Sequence, residues 1–311
     1  MSDAMKREKI KKLFPFIGLA AVILLFIAAT GGRILATSNM IFIFNQSFQV
    51  MLVAAGATLI YAHGGIDLSL GAAMALASMC AVLLYQATGM AWVLIPTAVV
   101  VAVAVGFITG IVTIKLRLPS FITSLCVQFA GYGIINTVLN VQVVGVPHMP
   151  APHWSVQLPV LIAAIAVMGI ILTYTKVGKY NKAIGENIAA VKASGVNVDM
   201  HRLYAYLICG FMLGIAAYFN LLRAGIMSPL TGRGLELNVI IALVLGGMSL
   251  SGGYTASVRC AAIGSLTVVI IQNGLILLGV QSRSIGMVQG AIFLAVVLMT
   301  YKRKKSVLLP R

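Results

Sequence analysis

The feature that most constrains this chain is the recurrence of apolar runs of membrane-crossing length along almost its whole course. Such runs occupy segments near 13–31, 45–63, 67–88, 91–114, 119–139, 157–175, 203–222, 236–251, 259–278 and 285–301. About 17–25 predominantly apolar residues in a helix cross a hydrocarbon core of about 30 Å. In lipid every backbone N–H and C=O must find a partner within the protein, which leaves helices or a closed barrel. The runs are continuous rather than alternating in short strands, and that selects helices. The prediction is an all-α integral membrane protein, a bundle of about ten transmembrane helices. Composition agrees, with 60% hydrophobic and only 9% charged residues against roughly 25% charged in soluble domains. The segment Ser38 to Phe44 is too short to cross, so it either lies at the interface or extends the second span.

A net charge of +16 invites a nucleic-acid reading, which the placement of the charges excludes. With an inside N-terminus and ten spans, eighteen basic residues fall in inner segments, among them Lys6, Lys12, Lys115, Arg117, Lys182, Arg202 and Lys302, while only Arg33, Arg223, Arg233 and Arg283 fall outside. This is the positive-inside bias, and it places both termini in the cytosol. The organisation expected is a basic head at 1–12, one transmembrane domain at 13–301 with an inner loop at 176–202, and a basic tail at 302–311. No small-residue cleavage site follows the first run, so the head reads as a retained anchor. Cys80, Cys126, Cys209 and Cys260 form no CxxC pair and read as packing residues. His148 and His153, in a proline-rich outer loop, lack the further ligands a metal needs, so no metal site is predicted.

Of the six acids, Asp67 and Glu236 sit at span edges rather than in the head or the inner loop. Asp67 belongs to Gly64-Gly65-Ile66-Asp67-Leu68-Ser69-Leu70-Gly71, where Asp67 or Ser69 is expected to cap the next helix. A related octet, Gly246-Gly247-Met248-Ser249-Leu250-Ser251-Gly252-Gly253, also joins an inward span to an outward one and hints at an internal repeat. The uncharged polar residues within spans, Asn45, Gln46, Gln49, Gln128, Asn136, Asn220, Gln272 and Asn273, are the candidates for a solute path. Amides donate and accept hydrogen bonds without moving a charge across lipid, which suits a neutral, hydroxyl-rich solute. For any single one of them, a hydrogen bond between helices is the favoured reading.

The polar island from Lys176 to Arg202 interrupts the membrane pattern. After Gly185, Glu186 and Asn187 are expected to open a short helix whose apolar face is Ile188 and Val191, stopped by Gly195. Asp199 is expected to cap the following span. A helix this short needs something to pack on, either the membrane surface or a socket in a cytosolic protein.

The string Gly185-Glu186-Asn187, then Ala189-Ala190, then Ser194-Gly195-Val196-Asn197-Val198 resembles the coupling segment of ABC-transporter permeases of the ribose, or branched-chain amino acid and sugar, importer group. Gly64-Gly65-Ile66-Asp67-Leu68-Ser69 resembles that family's second signature, and Gly234-Leu235-Glu236-Leu237 running to Gly246-Gly247 and Ser249 its third. The resemblance implies a bacterial inner-membrane permease subunit importing a sugar or related small polar solute. It also implies a second permease chain, identical or different, an extracytoplasmic solute-binding protein and a cytosolic ABC ATPase. Glu186, Asn187, Ala190, Ser194 and Gly195 would then couple the chain to that ATPase. No Walker motif occurs here, so ATP and Mg belong to the partner, and this chain is expected to be no enzyme and to bind no cofactor. The chain departs from the family at Asn238, where Asp is common, and at Thr255 and Arg259, where glycines are usual. The competing function is an ion-coupled secondary transporter, which would need a buried ionisable relay. An intramembrane enzyme lacks both HExxH and GxSxG.

Overall fold

The computed structural model describes residues 3–146 and 148–300; the basic tail at 302–311 and the side chains of the head at 1–12 lie outside what it describes. It consists of α1 (Asp3–Ala29), α2 (Thr37–Ala62), α3 (Leu70–Thr88), α4 (Leu94–Lys115), α5 (Ser120–Leu139), α6 (Trp154–Tyr174), α7 (Lys176–Glu186), α8 (Ile188–Ala193), α9 (Val198–Ala224), α10 (Leu235–Leu245), α11 (Val258–Leu277) and α12 (Ser282–Thr300). The β-pairing among the described residues is a single bridge between Gly145 and Ile226. The chain is an all-α membrane protein.

Each predicted run falls on a helix, but the expected ten transmembrane helices are corrected: among the described residues seven are long and apolar enough to cross a membrane, α2, α3, α4 with the turn leading into it, α5, α6, α9 and α11. Segment 38–44 extends the second span, since α2 starts at Thr37. The span expected over 236–251 is corrected. α10 has 11 residues, about 16 Å at 1.5 Å per residue, roughly half the hydrocarbon core. It ends where Gly246 packs directly on the Cys260 carbonyl, leaving no room for a side chain, and where Gly247 turns the chain at φ +95°. The remainder runs irregularly to Ser257, the N-cap of α11.

α2 forms the centre of the bundle, buried on every side from Val50 to Ala62, as a helix apolar all round must be. α9 packs most closely on α4 and α2. Its Gly210 and Gly214 face Ala102, Val99 and Ala98 of α4, while Gly106 and Gly110 of α4 face Tyr206. These are two small-xxx-small pairs set against each other, and a Cβ on Gly210 would stand 2.7 Å from the Ala102 oxygen. Backbones can approach this closely only without side chains, and dispersion then holds helices that lipid would otherwise solvate equally well. α4, α5 and α6 turn apolar side chains outward, including Val100, Phe107, Phe129, Ile134, Ile162 and Ile170.

Candidate functional site

The strings singled out in the sequence meet at one end of the bundle. The Gly253 N–H donates to the carbonyl of Ala62, the last residue of α2, at 2.8 Å. Gly185 sits against both groups: a Cβ there would overlap the Ala62 oxygen and stand 2.6 Å from the Gly253 nitrogen. Glu186, the last residue of α7, accepts a hydrogen bond at Oε1 from the Tyr254 N–H at 2.9 Å. The two glycine octets also touch directly, Gly64 lying against the Ser251 carbonyl. The turn after α10 is braced from within by the Ser249 N–H donating to Thr255 Oγ1 at 3.0 Å and by the Ser249 and Ser251 hydroxyls 2.8 Å apart. The end of α2, the end of α7 and the α10–α11 turn are thereby one joint.

The island is two helices rather than one. Gly185 and Glu186 close α7 instead of opening a helix, and Asn187 caps α8 by accepting from the Ala190 N–H at 3.1 Å. Ser194 donates to the Val191 carbonyl at 2.8 Å, and Gly195 ends the segment at φ +78°. The cap expected at Asp199 is corrected: Asn197 caps α9, its Oδ1 accepting from the Met200 N–H at 3.0 Å, because Asp199 already lies inside the first turn. Val191 packs with Ile184 and Val198 in a small core of its own. Buried Asn181 ties α7 to α9, donating to the Val177 and His201 carbonyls at 2.9 and 3.0 Å. Asn187, Ile188, Ala189, Ala190, Ser194 and Gly195 remain exposed. Lys182 of α7, half-buried near Cys260, is pushed below the ordinary lysine range by desolvation.

The other signatures lie deeper. Ser69 stands at the N-cap position of α3, but neither its side chain nor that of Asp67 accepts from a free N–H of the helix; the expected side-chain cap is corrected to a local turn, in which Asp67 Oδ1 accepts from the Ser69 N–H at 2.8 Å and from the Ser69 hydroxyl at 2.6 Å. The extended segment before it is held along α5, where the Ser120 and Ser124 hydroxyls accept from the Ile66 and Leu68 N–H groups at 2.9 and 3.0 Å. Glu236 is buried in the first turn of α10 and accepts at Oε1 from the Gly234 N–H at 3.2 Å. Its Oε2 and the Tyr132 hydroxyl are buried with no hydrogen-bond partner among the described residues. Gly71, at the start of α3, abuts both and the Gly232 carbonyl. The Arg233 guanidinium lies over the Tyr132 ring, 5.0 Å from its centroid.

The amide candidates divide. Gln46 of α2 donates to Gln272 of α11 at 2.9 Å, and Gln272 donates to Asn238 of α10 at 2.7 Å. Gln289 of α12 donates to the same Asn238 oxygen at 3.0 Å. Asn273 pairs reciprocally with Asn39 at 2.8 and 2.9 Å. Asn220 and Gln49 each accept from Arg223, at 3.2 and 3.3 Å. Gln128 and Asn136 lie on α5 outside these networks; the Gln128 side chain neighbours the Glu236 carboxylate, and the Asn136 Oδ1 is buried with no partner among the described residues. Asn45 shares α2 with Gln46 but joins none of these bonds. Asn39, Asn238 and Gln289 complete these networks and were not among the candidates, although Asn238 stood out as a family departure. His153 turns out to cap α6, accepting from the Ser155 N–H at 3.3 Å.

Residues 39–297 match the model of a family described as branched-chain amino acid transport system / permease component. A ribose import permease protein of Escherichia coli (strain K12) is 32% identical over 304 residues, covering 92% of this chain and 93% of that protein. A fructose import permease protein of Bifidobacterium longum is 29% identical over 82% of this chain and 74% of its own length. A galactofuranose transporter permease protein of Escherichia coli (strain K12) is 28% identical over 84% of this chain and 79% of its own length. No solved structure matches.

Proposed function

The chain belongs to the branched-chain amino acid transport system / permease component family, and from that premise we propose that it is the permease subunit of a binding-protein-dependent ABC importer. It carries a sugar or related small polar solute into the cytoplasm across a bacterial inner membrane. The relatives named for ribose, fructose and galactofuranose support the solute class, and the seven crossing helices support the location. A cytosolic ABC ATPase supplies the energy, with ATP and Mg held there. An extracytoplasmic binding protein delivers the solute, and a second permease chain completes the path. Both termini and the island face the cytosol, as the charge bias implies.

The observation that carries this reading is the joint at Gly185 and Glu186. The exposed residues Asn187, Ala190, Ser194 and Gly195 offer the ATPase its contact, and the Glu186 carboxylate passes displacement of the island to the α10–α11 turn. From there α10 leads to Glu236 and Asn238 within the bundle. Glu186→Lys replaces an acceptor with a donor opposite the Tyr254 N–H, and Gly195→Pro cannot adopt the positive φ of the α8 stop. Both variants are expected to insert and to assemble with the ATPase, yet to lose uptake while ATP hydrolysis continues. Normal uptake by both would remove the coupling role. Uptake in vesicles that persisted without ATP and collapsed with the ion gradient would instead establish a secondary transporter.

A further inference from the structure

A cavity of about 260 Å³ lies beside the joint, walled by the end of α2, the end of α4, the start of α5 and the start of α9. That is many times the roughly 10–15 Å³ that admits one water. His63, Thr113, Ser120, Arg202 and Tyr206 line it, and none of its lining residues is acidic. Both ring nitrogens of His63 and Arg202 Nε are buried there with no hydrogen-bond partner among the described residues, and the buried Tyr206 hydroxyl has the Thr113 and Ser120 hydroxyls as its neighbours. His63 is 5% exposed and Tyr206 1%. Buried polar groups of this kind are costly unless something satisfies them.

What satisfies them is set by their chemistry. A guanidinium offers donors only, a tyrosine hydroxyl donates as well as accepts, and a neutral histidine ring donates from one nitrogen and accepts at the other. Ser120 Oγ already accepts from the Ile66 N–H at 2.9 Å, so its proton remains to be given. Arg202 is the one cationic side chain in a lining without an acid, and together with these donors it favours an occupant rich in acceptor oxygens and negatively charged, which suits a phosphate group. The nearest carboxylate along the chain, Asp67, accepts from Ser69 instead. Exposed Lys115 and Arg117 flank the cavity in sequence, and the adjoining surface is apolar and exposed at Leu116, Leu118, Phe121 and Ile122. A rim that is basic and apolar together matches a headgroup whose acyl chains remain in the bilayer.

We propose that this cavity binds the phosphate group of an anionic phospholipid from the inner leaflet, seated on Arg202, Tyr206, His63 and Ser120. The test uses the full chain purified in mild detergent, with lipid retention read by native mass spectrometry and thermal unfolding. Phosphatidylglycerol, phosphatidylcholine and inorganic phosphate are the probes. The wild type is expected to retain phosphatidylglycerol in preference to phosphatidylcholine and to unfold at a higher temperature with it. Arg202→Gln should lower that preference roughly fivefold, the effect of one basic residue at a membrane surface. Phe121→Glu, at an exposed rim position in the first turn of α5 where an acid suits the helix, should lower it similarly without disturbing the core. Equal retention of both lipids by the wild type, or undiminished preference in both variants, overturns the proposal. Protection by inorganic phosphate equal to that by phosphatidylglycerol would keep the phosphate site and overturn the lipid as its source.

Discussion

Asn238 accepts hydrogen bonds on one oxygen from Gln272 and Gln289, which makes a single amide the meeting point of α10, α11 and α12, with α2 reached through Gln46. Hydrogen bonds between helices in a membrane average about 0.6 kcal/mol and reach about 1.7. Asn238→Leu strands two donors, so it is expected to cost about 1–2 kcal/mol, seen as a lower unfolding temperature in detergent, with Gln272→Leu costing a similar amount. If the amides lie on the solute path, uptake in these variants falls further than the loss of folded protein explains; if they only pack helices, uptake follows the folded fraction. The sequence showed which residues were polar within apolar runs. It did not show that Gln46 and Gln272 face each other across 226 positions, because helix periodicity sets a face but not the neighbour that face meets. Likewise Glu186 stands out in the sequence through its family string, whereas its hydrogen-bond partner, a backbone N–H at Tyr254, carries no side-chain signature.

At the scale of elements, hydropathy located the helices well because lipid demands length and apolarity of each one. It misjudged α10, where apolar Met248 and Leu250 continue past the helix and the stop is made by Gly246 packing on the α11 backbone. A contact made by the absence of a side chain leaves no hydropathy signal. The α4–α9 contact is of the same kind, and its signature was present as Gly106 and Gly110 against Gly210 and Gly214. Gly210→Leu would drive a side chain into the α4 backbone. Overpacking costs roughly 1–3 kcal/mol and occasionally more, and the upper end is expected here because backbone yields less readily than a side chain. Gly169→Leu on α6, whose surroundings are open, is the control and should unfold like the wild type. Equal unfolding temperatures for the two variants would mean that α4 and α9 do not approach as closely as described.

At the scale of the whole molecule, the short α10 joins the interior of the bundle to the joint at its end. One end holds Glu236 and Asn238 inside the bundle, and the other leads into the turn that Glu186 and Ala62 grip. A helix crossing the full bilayer would be held by lipid at both ends; one about 16 Å long is held by protein, and under the proposed function its position follows the joint. The joint closes only because Gly185 and Gly253 bring no side chain to it. Gly185→Val and Gly253→Val each place a branched side chain in that contact, against the Ala62 carbonyl in the first case and the Glu186 carboxylate in the second. Each is expected to suppress solute uptake by the assembled transporter severely while the helices remain folded by circular dichroism. Since both open the same contact, the double variant should lose little beyond either single one, the non-additivity expected of residues that share a partner. Two independent losses that add in the double variant would place Gly185 and Gly253 on separate routes, and α10 would then not be the element through which the island reaches the centre of the bundle.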